Sequence, residues 1–354
     1  MNNSNMPVAR LHGLDELRGW AALLIVFYHF TTWEQVEFPA YIANPLKLSG
    51  FYGVSVFYVL SGCVLSIIYG EKLGNTVSLS TFYTKRYLRI APLFIVILLI
   101  STLGAKIVNE DYVFDFWRFF LNFSLLFSWI APSEHMPVGG WSIGNEIFFY
   151  SVFPLLLLLI RIRAGNVLLV LLIIAVTILV SFGLVKPDSG KEFEFSKYVN
   201  PLNHVAFFAL GMLIGRYSKD WTRWRNFLFP LSLVTFWILS MELTTIDLVT
   251  GWPRVILLGL TGIWCWFFFT ADLLRNRPME WLGKISYSLY LVHPIVFLGA
   301  DGFLRKAGQW QERSLSQSAG FMAICFFVTV VSAWILWRLV EPVGGRLLKM
   351  RRAL

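Results

Sequence analysis

Apolar runs about as long as a bilayer crossing recur along the whole 354-residue chain, and no other feature constrains its fold so strongly. A helix needs about 20 apolar residues to cross the hydrocarbon core, where every backbone polar group must be bonded within the segment. Hydrophobic residues make up 57% of the chain and charged residues 14%, so a helical membrane bundle replaces the two or three soluble domains that length alone would suggest. The predicted spans fall at about 14–32 and 51–69, then from Arg89 to about 105. Seven more follow at about 142–160, 166–185, 201–215, 226–245, 252–271, 285–304 and 319–340. The expected fold is an all-α polytopic membrane protein with about ten transmembrane helices, without internal repeats.

Residues 116–131 (FWRFFLNFSLLFSWIA) are apolar but short, and the distribution of basic residues decides how to read them. If the segment does not cross, twenty of the 30 Lys and Arg fall on the side of the termini, nine fall opposite and Arg118 is unassigned. If it crosses, every later loop inverts and the basic C-terminus moves outside. The positive-inside rule favours the first case: a re-entrant or interfacial helix, with both termini cytoplasmic. The net charge of +9 is then a property of cytoplasmic loops and argues for no nucleic-acid partner. Cys63, Cys265 and Cys325 sit inside apolar segments without CxxC spacing, which supports neither a disulfide framework nor a metal site. No phosphate loop or Ser–His–Asp spacing is present.

The first apolar run, LDELRGWAALLIVFYHF, carries Asp15, Glu16, Arg18 and His29. Eleven residues make about three helical turns, so Arg18 and His29 share a face, roughly 16 Å apart along the axis. Ionisable groups in a membrane helix are costly and are functional candidates. A neutral imidazole suits His29 to take a hydroxyl proton as general base, the alternative being a structural histidine between packed helices. Arg18 is either part of the site or a snorkelling cytoplasmic-end arginine. Arg86 and Arg89, three apart beside Lys85, offer guanidinium forks suited to phosphate, or form an ordinary positive-inside flank. Glu146, several residues into an apolar helix that Ser142 is expected to cap, should be paired or face a wet cavity. Its expected roles are orienting His29 or Arg18, holding a substrate hydroxyl, or a structural ion pair. Trp141 reads as an interfacial anchor or a ligand platform. His293, before Pro294, reads as a structural hydrogen-bonding histidine, and Glu341-Pro342 as the cap or tether of the last span.

In this order along the chain, Arg18-x10-His29, FYVLSG at 57–62, KRYLRIAPLF with Arg86-x2-Arg89, GGWSIGNEIFFYSVFPLL, ISYSLYLVH and a terminal Glu-Pro resemble integral-membrane acyltransferase family 3, which acylates carbohydrates and related acceptors. The resemblance runs over essentially the whole chain and implies a single transmembrane acyltransferase domain over 1–354 with no additional soluble domain. Cys63 stands where many members carry an aromatic residue.

What the resemblance implies is an acyl-CoA donor, usually acetyl-CoA, used from the cytoplasmic side, with no tightly bound cofactor and no metal. The family's catalytic histidine falls on His29 and its motif arginine on Arg18. The pair thought to meet the coenzyme A phosphates falls on Arg86 and Arg89, and the motif glutamate on Glu146. Asp15, Ser61, Trp141, Ser142, Tyr150 and His293 are supporting candidates. The expected activity is O-acyl transfer, most simply O-acetyl transfer, to a hydroxyl of a surface polysaccharide such as lipopolysaccharide, or of a lipid-linked glycan. The expected location is the bacterial inner membrane, among its lipids. The alternative from another class is a transporter or flippase that uses His29, Glu146 and Arg18 as a proton or substrate pathway. Repeated broken helices, which transporters often show, are not seen in the sequence.

Overall fold

The computed structural model describes residues 12–108, 111–184, 195–217, 222–242, 250–271, 275–308 and 313–353. Their regular elements are helical, without a strand among the described residues. In chain order they are α1 (His12–Trp33), α2 (Ala40–Tyr69), α3 (Leu79–Val108), α4 (Phe116–Phe123), α5 (Phe127–Ile130), α6 (Gly140–Arg161), α7 (Arg163–Leu179) and α8 (Phe195–Tyr198). After them come α9 (Val205–Tyr217), α10 (Arg225–Glu242), α11 (Gly251–Thr270), α12 (Arg277–Lys284), α13 (Ser286–Lys306), α14 (Leu315–Leu339) and α15 (Glu341–Ala353).

Each of the ten predicted spans meets one of these helices. Among the described residues, seven helices are long and apolar enough to cross a membrane: α2, α3, α6, α7 with its π-helical extension, α11, α13, and α14 continuing into α15. The other three fall short for visible reasons. α9 has 13 residues, about 20 Å of rise against a core of about 30 Å. α1 carries Asp15, Glu16 and Arg18 in its first turns, and α10 has 18 residues with Arg225 and Glu242 at its ends. The 116–131 segment folds as α4 and α5, of 8 and 4 residues, neither of them able to cross. Arg118, unassigned from the sequence, organises this segment. Its guanidinium donates to the carbonyls of Glu134 (3.3 Å) and His135 (3.2 Å), while Asn122 donates to Glu134 O (2.8 Å) and accepts from Met136 N (2.9 Å). The second span begins at Ala40 rather than near residue 51, because Pro45 and Lys47 are accommodated inside the helix.

The chain folds into two compact units. One comprises the chain up to residue 25 together with 38–77 and 152–284. Its centre is the contact of α2 with α9, made possible by small residues: a side chain at Gly62 would collide with the Phe208 carbonyl, and one at Gly211 with that of Val59. Gly211 and Gly215 form the small-xxx-small spacing that lets membrane helices approach closely. Arg161, at the end of α6, donates to Gly70 O (3.0 Å) and Leu73 O (2.6 Å), putting a cation on the carbonyls that end α2. Arg254 is buried in α11, bonded to the Asn203 carbonyl and 5.6 Å from the Phe207 ring centroid. Glu280 on α12 gathers Arg275, Lys284 (2.6 Å) and His12 (3.0 Å). The hydrogen bond from Arg275, with help from Lys284, holds its carboxyl well below the usual carboxylate range. An almost wholly apolar cavity of about 340 Å³ lies between α1, α2, α10 and α11, lined by residues such as Leu24, Tyr52, Leu233 and Trp264. The three cysteines are buried free thiols.

The other unit comprises 26–37, 78–151 and residues from 285 onward. Here α13 packs on α3 and α14, and α15 returns to α3. Glu341 does tether the last helices: its carboxylate accepts from Ser288 Oγ at 2.6 Å. Arg313 bonds Glu34 and Asp301, both at 2.6 Å, and Glu34 accepts from Ser318 as well (2.8 Å), which clasps the ends of α1, α13 and α14.

Candidate active site

His29 lies in the last turns of α1, half-buried, within the second unit. Its Nδ1 is 3.0 Å from Nε2 of His293, two turns into α13. Trp33, one turn beyond His29 on α1, lays its indole along both imidazoles, with centroids 4.9 Å from His29 at an interplanar angle of 12° and 5.8 Å from His293 at 16°. Phe30 and Phe297 close the apolar side, their centroids 4.7 Å apart. An imidazole pair therefore sits in a frame of aromatic rings contributed by α1 and α13.

One turn before His293 on α13, Tyr290 reaches the start of α6. Its hydroxyl donates to Gly139 O (3.2 Å) and lies 3.0 Å from Ser142 Oγ. Gly139 has φ +77°, and a Cβ there would come 2.9 Å from the Tyr290 hydroxyl, so both the turn and the contact require glycine. Ser142 does not cap α6 as expected. The helix starts at Gly140, and the Ser142 hydroxyl inside its first turn donates to Gly139 O (2.9 Å). Trp141 is buried, at 7% exposure.

A turn before Tyr290, Tyr287 donates to Ile90 O (2.8 Å) and lies within electrostatic reach of Glu146, Tyr150, Arg89 and Glu341. Tyr150 donates to Glu146 one turn back on α6, and Arg86 on α3 holds its guanidinium 5.8 Å from the Tyr150 ring centroid. The structure thus brings Arg86, Arg89, Glu146 and Tyr150 into one polar cluster, and His29 and His293 into direct contact. Tyr287 and His293 are six residues apart on α13, about 9 Å of rise, so one helix joins cluster and pair. Glu146 does not orient His29: among the described residues the only polar side chain bonded to His29 is His293. A carboxylate one turn from Tyr150 finds its hydroxyl partner within its own helix.

Asp15, Arg18 and Ser61 belong to the first unit. Asp15 and Arg18 face each other at 3.5 Å, and Ser61 is buried in α2. Among the described residues no group of three or more His, Cys, Asp or Glu could hold a metal ion. Trp33, Tyr287 and Tyr290 were not predicted. The signals were present as helical spacing, Trp33 at i+4 from His29 and the tyrosines at i−6 and i−3 from His293, but they gain meaning only once α13 meets α1.

A helical membrane chain with a histidine pair and an arginine–glutamate–tyrosine cluster fits a membrane acyltransferase. The match to an acyltransferase domain model over residues 11–338 establishes the class: the chain belongs to acyltransferase family 3. Among its relatives, a Bacillus subtilis (strain 168) protein named "Putative peptidoglycan O-acetyltransferase YrhL" is 26% identical over 324 residues, covering 81% of this chain and 48% of that protein. The Staphylococcus aureus (strain NCTC 8325 / PS 47) protein named "O-acetyltransferase OatA" is 30% identical over 328 residues, covering 81% and 50% respectively. The chain spans about half the length of these curated relatives. No solved structure matches it.

Proposed function

We propose that this protein is an O-acetyltransferase of the bacterial cytoplasmic membrane. It moves an acetyl group from cytoplasmic acetyl-CoA to a hydroxyl of a surface glycan or lipid-linked saccharide, with His29 as general base. The observation that carries the reading is a half-buried imidazole whose Nδ1 is taken by a neighbouring side chain, and whose Nε2 makes no hydrogen bond among the described residues, in a chain of an acyltransferase family. The names of the relatives support acetyl as the group moved, and one of them supports a surface glycan as the acceptor class.

In this mechanism His29 Nε2 takes the proton of the acceptor hydroxyl as its oxygen attacks the thioester carbonyl. The tetrahedral intermediate collapses by breaking the C–S bond, and the departing thiolate recovers the proton from the imidazolium. The ester and free coenzyme A leave, and the base is regenerated. Arg86 and Arg89 hold phosphates of the donor, and Glu146 and Tyr150 fix the arginine cluster. The chain crosses the membrane ten times with cytoplasmic termini, a reading supported by the side of twenty of the 30 basic residues and by the shortness of α4 and α5.

The test is transfer of radiolabel from acetyl-CoA into the surface glycan fraction of membranes holding wild type or His29→Ala at matched levels. Label incorporated by wild type and lost in the variant is expected. Equal labelling by the two proteins would remove His29 from the mechanism, and labelling by neither would overturn the donor and acceptor assignment.

A further inference from the structure

His293 is 1% exposed, and its Nδ1 lies 3.3 Å from the carbonyl of Leu289. The Tyr290 carbonyl also faces the ring; Pro294, having no N–H, cannot supply that carbonyl's usual helical donor. A carbonyl can only accept, so Nδ1 of His293 carries the proton, and in the neutral ring Nε2 is left as an acceptor. That acceptor is 3.0 Å from Nδ1 of His29, which must then be the donor. The ring centroids are 5.1 Å apart at an interplanar angle of 20°. With the nitrogens at 3.0 Å, the remaining length is close to the sum of the two ring radii, so the imidazoles meet edge to edge, nitrogen to nitrogen, rather than face to face.

We infer that His293 is a positioning residue for the base: by accepting the Nδ1 proton of His29 it fixes the neutral tautomer whose Nε2 lone pair is free for the acceptor hydroxyl. The inference rests on the reading of His29 as base and deepens it. Two backbone carbonyls set the proton on His293, His293 sets the proton on His29, and Trp33 along both rings restrains a flip that would exchange the nitrogens. The hydrogen bond persists when His29 becomes imidazolium, so orientation holds through the cycle and no proton passes to His293. Serine-protease triads use an aspartate in this place, where loss of the correct tautomer costs about 10⁴ in rate. A neutral acceptor orients without adding charge stabilisation, so its loss should cost less.

Two measurements test this. In protein carrying ¹⁵N-labelled histidine, with His29 assigned by its absence from His29→Gln, the ring shifts of wild type should show a protonated Nδ1 and an unprotonated Nε2 at His29. A protonated Nε2 would overturn the inference, and this reading depends on no variant of His293. In labelled-donor kinetics, His293→Leu should lower kcat roughly ten- to hundredfold, below the ~10⁴ of a triad aspartate, with KM for acetyl-CoA unchanged. His293→Gln, whose amide oxygen can accept the same proton, should recover much of the loss. Equal depression in Leu and Gln variants, or full activity in both, would overturn it. Full activity of His29→Ala would instead remove the base, while leaving the tautomer read by the shifts standing.

Discussion

Arg86 and Arg89 stand three residues apart on α3, yet their surroundings differ. Arg86 is half-buried with its guanidinium toward the Tyr150 ring, while Arg89 is exposed within electrostatic reach of Tyr150, Tyr287 and Glu341. An exposed guanidinium that binds donor phosphate contributes mainly to ground-state affinity. Arg89→Ala is therefore expected to raise KM for acetyl-CoA roughly tenfold, as for one lost charge-assisted hydrogen bond, with kcat little changed. Steady-state kinetics in membranes check this, and a kcat loss with unaltered KM would contradict it. Among single residues, those whose chemistry is costly in a membrane were legible: His29, Arg86, Arg89 and Glu146 announce themselves as polar groups in apolar runs. Trp33, Tyr287 and Tyr290 did not, because aromatic residues are ordinary there and only contact with a distant helix gives them a place.

At the scale of elements, helix positions followed from hydrophobic length, but how closely helices approach depends on single small residues. α2 and α9 meet backbone to backbone at Gly62 and Gly211. Gly211→Ala would drive a methyl group into the Val59 carbonyl and force the helices apart. A loss of about 1–3 kcal/mol, typical of overpacking, is expected, seen as a lower Tm in detergent with the residual activity of folded protein preserved. The short α12 is held differently, by the charges around Glu280. A carboxylate whose folded pKa is depressed stabilises the fold fully above its unfolded value, near 4.5 here, and that contribution drains away as pH falls toward the folded pKa. Glu280→Gln should therefore melt below wild type at pH 7, and the gap between the two melting curves should narrow between pH 4.5 and pH 3. A gap that widened on acidification would contradict this assignment. The failed Ser142 cap belongs to this scale too: serine near a helix start signals a cap, but the turn at Gly139, with its positive φ, starts the helix at Gly140, and the Ser142 hydroxyl meets Gly139 O and Tyr290 instead.

Across the whole molecule, composition revealed the class of fold, because lipid acts on sums over many residues. The shortness of α9 was legible, its predicted span being only 15 residues against the 13 found, but the close glycine contacts with α2 that accommodate so short a helix were not. The division into two units was not legible at all. α1 and α6 each contribute residues to both, so no composition shift or linker marks the boundary.

The two histidines are 264 residues apart in sequence. At roughly 5–20 residues per second, α1 waits some tens of seconds on the membrane before α13 is even translated. During that interval the nascent chain carries an imidazole without its partner, and whatever chemistry depends on the pair is switched off. Assembly of α13 therefore acts as a checkpoint: a chain stalled before residue 293 lacks the ring that meets His29, and the pair forms only once α1 to α12 have been made.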